Sequence, residues 1–260
     1  MTMRFKDHFS GHSTLYSRYR PDYPPSLYRF LAEQAPQQEL AWDCATGSGQ
    51  AALGLAEHFS HVIATDASAA QLKQATPHPR VEYLVAPAEQ VPLADHSVDL
   101  ITVAQALHWF DLDGFYHEVR RVLRPDGVLA VWSYNLLQCE PAIDAVLNHF
   151  YAKTIGPWWP PERVHIENGY QDLAFPFTEE KSPDFAMQAQ WSLPQLSGYL
   201  RTWSAVQRYQ KEQGVDPVTL IEAGLAELWG EAEQVRIIRW PLSLRWGRPF
   251  PSVSGGSAML

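Results

Sequence analysis

Five short apolar runs, at residues 40–44, 62–65, 81–85, 100–104 and 128–132, recur with helical stretches between them, and this rhythm constrains the fold more than any other feature. Strands that alternate with helices predict a parallel sheet. Each run is nearly continuous in apolar residues rather than alternating, the pattern of strands covered on both faces by crossover helices. The helices carry their own start and stop signals. Ser68 with Gln71 reads as a capping box, and Asp111 or Asp113 as the cap of a helix with the apolar stripe Phe115, Val119, Val122 and Leu123. That helix is expected to stop at Arg-Pro-Asp-Gly, residues 124–127, where proline and Asp-Gly turn the chain into the next strand.

After Trp132 the rhythm changes. Residues 135–190 hold aromatic and proline clusters such as GPWWPPER and FPF, with one clear helix, PAIDAVLNHFYAK, and read as a helical lid or insertion over the sheet. Two marked helices follow. Ser192 and Gln195 frame the first, with Leu193, Leu196, Leu200, Trp203 and Val206 on one face; Asp216-Pro217 opens the second, with Ile221, Leu225 and Leu228. Residues 235–246, VRIIRWPLSLRW, read as a late strand at or near an edge, because Pro241 has no N–H to give a central ladder. We therefore expect one domain over 1–250, comprising an N-terminal arm (1–38), a core (39–134), a lid (135–190) and C-terminal helices with an edge strand (191–250), then a flexible tail (251–260).

Composition narrows the partner. The 46% apolar content suffices for a large core, while 20 basic against 29 acidic residues give a net charge of −9, which argues against a phosphate-backbone partner. Two cysteines, Cys44 and Cys139, make neither a disulfide framework nor a thiolate cluster. The start, MTMRFKDHFSGHS, lacks a signal-peptide core, and no run has the length of a membrane helix. These features predict a cytoplasmic protein, monomer or homodimer, with a small-molecule partner, no nucleic acid, no membrane and no metal.

The first strand runs into WDCATGSGQAA, residues 42–52. A loop there lies at the carboxyl edge of a parallel sheet, where open α/β folds bind nucleotides. As GSGQAA it satisfies the dinucleotide fingerprint, with backbone N–H groups meeting a pyrophosphate; as WDCATGSGQ it suits S-adenosylmethionine, with Asp43 ending the strand. Asp66 ends the second strand and can accept both ribose hydroxyls of either cofactor, or cap the helix that follows; the two roles are compatible.

Further along come APAEQVPLADHSVDLITVAQALHWF and EVRRVLRPDGVLAVW. With WDCATGSGQ and ATDAS, these ordered motifs resemble the class I S-adenosylmethionine-dependent methyltransferases, in particular the type 11 methyltransferase domain. YRPDYP (residues 19–24), AQALHWF (104–110) and LRTWSAVQRY (200–209) look like the small-molecule branch that includes trans-aconitate methyltransferase-like proteins. The resemblance spans residues 5–250 and implies a Rossmann-like α/β fold: a mostly parallel central sheet, helices on both faces and an antiparallel edge strand near the C-terminus.

By position, the resemblance places Asp43, Ala45, Gly47 and Gly49 along the methionine and ribose side of S-adenosylmethionine, Asp66 on the ribose hydroxyls and Ala67 against adenine. Ala88 and Glu89 fall near the adenine ring, with Pro87 where relatives carry an acidic residue. Gln105 and Ala106 face the methyl-bearing sulfur, and Arg20 pairs with the cofactor's carboxylate or else pins the N-terminal arm. Ala45 departs from the glycine of the family; a positive φ there would cost alanine about 1 kcal/mol. His108 is the candidate catalytic residue and Trp109 a pocket wall, the alternative for both being packing. A carboxylic-acid acceptor would need a cation, for which Arg201, Arg163 and His165 are candidates, and Trp158 and Trp159 would shape an aromatic lid or else belong to a proline-rich surface loop packed against the domain. The implied function is in-line methyl transfer to a small molecule. Two alternatives stand beside it, an NAD(P)-dependent oxidoreductase and a methyltransferase-fold cofactor-binding protein without turnover.

Overall fold

A computed structural model describes residues 21–249. Arg20, most of the N-terminal arm and the tail at 251–260 lie outside them. The described residues gather into two compact units: one comprises 25–133, 170–183 and 243–249; the other comprises 21–24, 134–169 and 184–242. In this grouping residues 170–183 join the sheet.

The sheet unit is built on β1 (Leu40–Cys44), β2 (His61–Asp66), β3 (Val81–Val85), β4 (Val98–Ala104) and β5 (Leu123–Tyr134), with the short β6 (Thr178–Glu179) and the end of β8 (Arg236–Arg248). Strand order is β3-β2-β1-β4-β5-β8-β6. β1 pairs in parallel with β2 and with β4, β2 with β3, and β4 with β5, while β6 and β8 are antiparallel, Thr178 opposite Arg248. The sheet is therefore mostly parallel with an antiparallel edge. Its order reverses between β1 and β4, and the crevice at the carboxyl ends of those strands is where such sheets take ligands.

Burial follows this topology. β1, β2, β4 and β5 are buried along most of their length, and Leu100, Ile101, Val103 and Val128–Trp132 are entirely inaccessible. β3 is the correction to the sequence reading: it is an edge strand, partly accessible throughout, with Val85 61% exposed. Helices α1 (Pro25–Gln34), α2 (Gln50–Ala56), α3 (Ala69–Leu72) and α4 (Leu112–Val122) flank the strands. Phe115, Val119 and Val122 form the buried stripe of α4 as expected. The stop at 124–127 takes another form, since β5 begins at Leu123. Pairing passes from Val98–Leu123 to Leu100–Val128, so residues 124–127 stand opposite the single Asp99.

The second unit contains α5 (Pro141–His149), which runs into a π-helical turn over Phe150–Thr154, then α6 (Arg163–Glu167), β7 (Ala186–Trp191), α7 (Leu193–Arg201), α8 (Ser204–Gln213) and α9 (Thr219–Trp229). β7 pairs antiparallel with the first half of β8, where Pro241 lies opposite Ala186. The Ser192–Gln195 capping box forms, with the Ser192 N–H donating to Gln195 Oε1 at 2.9 Å. The helix it starts is shorter than the apolar stripe predicts. It ends at Arg201, where Thr202 Oγ1 donates to the Tyr199 carbonyl at 2.6 Å, and Trp203 is extended before α8 begins. Trp203 instead packs on Phe150, Tyr151, Trp159 and Tyr199, so an aromatic cluster outweighs the periodicity.

Candidate active site

The loop after β1 turns by three left-handed residues in alternation: Ala45 (φ 55°), Gly47 (φ 59°) and Gly49 (φ 87°). The condition attached to Ala45 is met, since an alanine occupies a conformation glycine adopts freely. The two glycines differ in purpose. A Cβ at Gly49 would lie 2.4 Å from the Tyr83 hydroxyl oxygen, so its smallness serves packing against the protein's own side chain. Among the described residues a Cβ at Gly47 would meet nothing nearer than Gln71 Oε1 at 4.0 Å, so its smallness is not required by packing against them.

Buried polar groups fix this loop. The Thr46 N–H donates to the Thr65 carbonyl at 2.9 Å, joining the loop to β2. Asp43 is fully buried and accepts Thr46 Oγ1 at 2.5 Å and Thr102 Oγ1 at 2.7 Å, one oxygen for the loop and one for β4. Burial raises its carboxyl to about pKa 6, against the opposing pull of the two hydroxyls. Burial also pushes the adjoining Cys44 thiol well up and Cys139 up to about 11, so both sulfurs stay protonated near neutral pH.

Asp66, at the end of β2, accepts the Gly47 N–H on Oδ2 at 2.9 Å and the Ser68 N–H on Oδ1 at 2.8 Å. Ser68 precedes α3 without a side-chain cap bond, so the capping box expected with Gln71 is replaced by this interaction. The two N–H groups set the plane of the carboxylate. Ala67 beside it is exposed. After β3 the Ala86 N–H returns to the Asp66 carbonyl at 3.2 Å, Ala88 is buried, and Glu89 Oε1 accepts the Asp111 N–H at 3.2 Å. Asp111 precedes α4 by position and makes no side-chain cap bond.

At the end of β4 the chain makes a second left-handed step, at Gln105 (φ 59°), whose N–H donates to the Trp132 carbonyl at 2.9 Å. Ala106 is buried, and a 3₁₀ turn over Leu107–Trp109 carries His108 and Trp109. His108 Nδ1 lies 3.0 Å from the Tyr170 hydroxyl, and its ring lies 4.6 Å from that of Trp109. The carboxyl ends of β1, β2 and β4 and the segment after β3 thus carry Asp43, Ala45, Gly47, Gly49, Asp66, Ala67, Ala88, Glu89, Gln105, Ala106, His108 and Trp109. Arg201 belongs to the other unit, at the end of α7, with Asp216 at 2.6 Å and Glu222 at 2.5 Å on its guanidinium.

Sequence reasoning did not reach Tyr170, Tyr83, Thr46 or Thr102. Tyr170 is fully buried at φ 63° after Gly169, 62 positions from His108, and no spacing links the two. The threonines sit inside motifs already singled out; the signal for them was the need to satisfy a buried Asp43.

An open sheet with a glycine loop and a strand-end carboxylate at its switch point defines a nucleotide-cofactor α/β protein. A methyltransferase-domain family model matches residues 42–131. A protein of Dictyostelium discoideum, named as a candidate methyltransferase, is 36% identical over 230 residues, covering 87% of this chain and 88% of its own. The structure of a candidate type II methyltransferase from Anaeromyxobacter dehalogenans superposes with a TM-score of 0.86 at 47% identity, covering 90% of this chain and 99% of that one. The malonyl-[acyl-carrier protein] O-methyltransferase of Dechloromonas aromatica is 37% identical over 123 residues, 47% of this chain and 44% of its own. The chain belongs to the S-adenosylmethionine-dependent methyltransferases. Its residues fit that cofactor, with clearance beside Gly47 among the described residues and a carboxylate oriented by two N–H groups at Asp66. Membership sets the nicotinamide reading of GSGQAA aside.

Proposed function

We propose that the chain methylates a small organic acid on a carboxylate oxygen. His108, the candidate base, has its Nδ1 bonded to the Tyr170 hydroxyl at 3.0 Å, which fixes the ring and leaves Nε2 as the nitrogen whose proton transfer the choice of acceptor tests. A hydroxyl acceptor needs a base to take its proton, whereas a carboxylate arrives without one. The oxygen chemistry of the malonyl-[acyl-carrier protein] relative supports the same reading.

S-adenosylmethionine supplies an electrophilic methyl group whose bonding pair stays on sulfur. The protein's contribution is alignment and exclusion of water. In this reading Asp66 accepts the ribose hydroxyls, Gly47 lets the cofactor approach the backbone, and Ala45 and Gly49 shape that loop. Asp43 holds the loop to β4, Ala67, Ala88 and Glu89 border the adenine, and Gln105 and Ala106 border the transferring methyl. His108 and Trp109 wall the acceptor side, with His108 a hydrogen-bonding group rather than a base. Arg20 serves the cofactor carboxylate. Arg201, already flanked by two carboxylates, contributes to folding its unit more than to acid binding.

The test is a panel of small carboxylic acids, phenols and amines incubated with the protein and methyl-labelled S-adenosylmethionine. Base-labile methyl esters are expected. Methylation confined to phenols or amines overturns the reading, and retained S-adenosylhomocysteine binding without transfer to any compound favours a protein without turnover.

A further inference from the structure

The unit that contains α5 to α9 holds a cavity of about 670 Å³, lined among others by Asn135, Tyr151, Trp159, Arg163 and Glu167. Arg163 is its one cation among the described lining residues, and its partners there are neutral. Its Nε donates to the Tyr151 hydroxyl at 2.8 Å and its Nη2 to Asn135 Oδ1 at 2.9 Å. No carboxylate of the described residues lies within ion-pair distance of it, in contrast to Arg201, which has two. Five N–H groups on a guanidinium, less two, leave three donors, enough for a bidentate grip on a carboxylate.

The surroundings hold that guanidinium in place. It stacks 4.7 Å above the Trp159 ring and 5.6 Å from the Tyr151 ring. Burial pushes the Tyr151 phenol up to about 12, so Tyr151 does not neutralise the charge by ionising. The Trp159 indole N–H also lacks an acceptor among the described residues. A positive group with spare donors, set among aromatic faces, matches a ligand with one anionic end and a flat apolar body. Glu167, on the same lining and bonded to the Tyr151 hydroxyl, opposes a second or third negative charge.

We propose that this cavity binds a small monocarboxylate with a flat apolar body, its carboxylate on Arg163 and its body against Trp159 and Tyr151, and that it discriminates against polycarboxylates.

The experiment titrates the full chain, saturated with S-adenosylhomocysteine, with benzoate, methyl benzoate and citrate, followed by calorimetry and tryptophan fluorescence. Benzoate is expected to bind at least tenfold more tightly than its neutral ester or citrate. Arg163→Met is expected to erase the preference for benzoate over the ester. Because Arg163 also braces Tyr151, Glu167→Gln is the second variant, expected to narrow the gap between benzoate and citrate. Equal binding of benzoate and its ester by the wild type, or an unchanged preference in folded Arg163→Met, overturns the proposal. S-adenosylhomocysteine binding without benzoate binding refutes this site and leaves the methyltransfer reading standing. Benzoate binding that depends on Arg163, with no methyl ester formed from any acid, supports this site and refutes the methyl-transfer reading proposed above.

Discussion

At Ala45 the loop asks an alanine for φ 55°, and the consequences of restoring glycine can be computed from opposing effects. Relief of left-handed strain is worth about 1 kcal/mol, while the greater freedom of glycine in the unfolded chain costs about 0.5–1 kcal/mol. Ala45→Gly should therefore leave urea-unfolding stability nearly unchanged, yet tighten S-adenosylhomocysteine binding measured by calorimetry, because a methyl group leaves the surface the cofactor approaches. An unchanged affinity would place Ala45 away from the cofactor. His108 gives a second test at this scale. With an acid acceptor, His108→Gln should lower kcat by less than about tenfold and leave its pH profile unchanged; loss of about a hundredfold or more, with a lost ionisation, would mark it as a general base. Ala45 was legible because it breaks a glycine pattern. The hydrogen bond between His108 and Tyr170 was not, because a contact across 62 residues has no local signature.

Strands were the most legible elements. Runs of continuous apolar residues located β1, β2, β4 and β5 to within a few residues, because burial on both faces leaves no polar alternation to misread. The same composition at β3 did not reveal an edge, since position in the sheet is a property of pairing and not of the strand's own residues. At α7 the periodicity ran on through Trp203 while the helix stopped, for the stripe says which face is buried and not where the aromatic partners lie. Asp43 belongs to this scale too, since it joins β4 and the glycine loop to the end of β1. Its carboxyl rises from 3.8 to about 6 on folding, so the native state keeps a proton that the unfolded chain releases. The associated stabilisation is full below about pH 4 and is lost as pH rises from about 4 to about 6, up to about 3 kcal/mol. Asp43→Asn removes this contribution. Relative to that variant, the ligand-free wild type should lose stability between pH 4 and pH 6.5 in denaturant unfolding; parallel curves for the two proteins would show that Asp43 ionises normally.

For the molecule as a whole, the mostly parallel sheet and the glycine loop after its first strand followed from sequence rhythm and from ordered motifs, whereas the strand order, with its reversal between β1 and β4, and the division into two units did not. Residues 170–183 join the sheet unit from within a stretch that reads as lid, through Tyr170, through the Tyr116 hydroxyl on the Ala174 carbonyl at 2.6 Å, and through Arg245 on Glu179 at 2.9 Å. Those contacts are made by side chains far apart in the chain, with no periodicity to announce them. Where the two units unfold separately, heat unfolding shows more than one transition. The cofactor loop and Asp66 lie in the sheet unit, so S-adenosylhomocysteine should act on that unit's transition. At a ligand concentration 100 times the dissociation constant, linkage adds about 2.7 kcal/mol, or roughly 5–10 °C for a unit of this size. Asp66→Ala leaves the Gly47 and Ser68 N–H groups without their acceptor, which lowers the ligand-free transition by about 1–3 kcal/mol. The decisive quantity is the shift between ligand-free and liganded protein. Scanning calorimetry should show that shift in the wild type and its loss in Asp66→Ala; an equal shift in both would mean that Asp66 braces the loop without touching the cofactor.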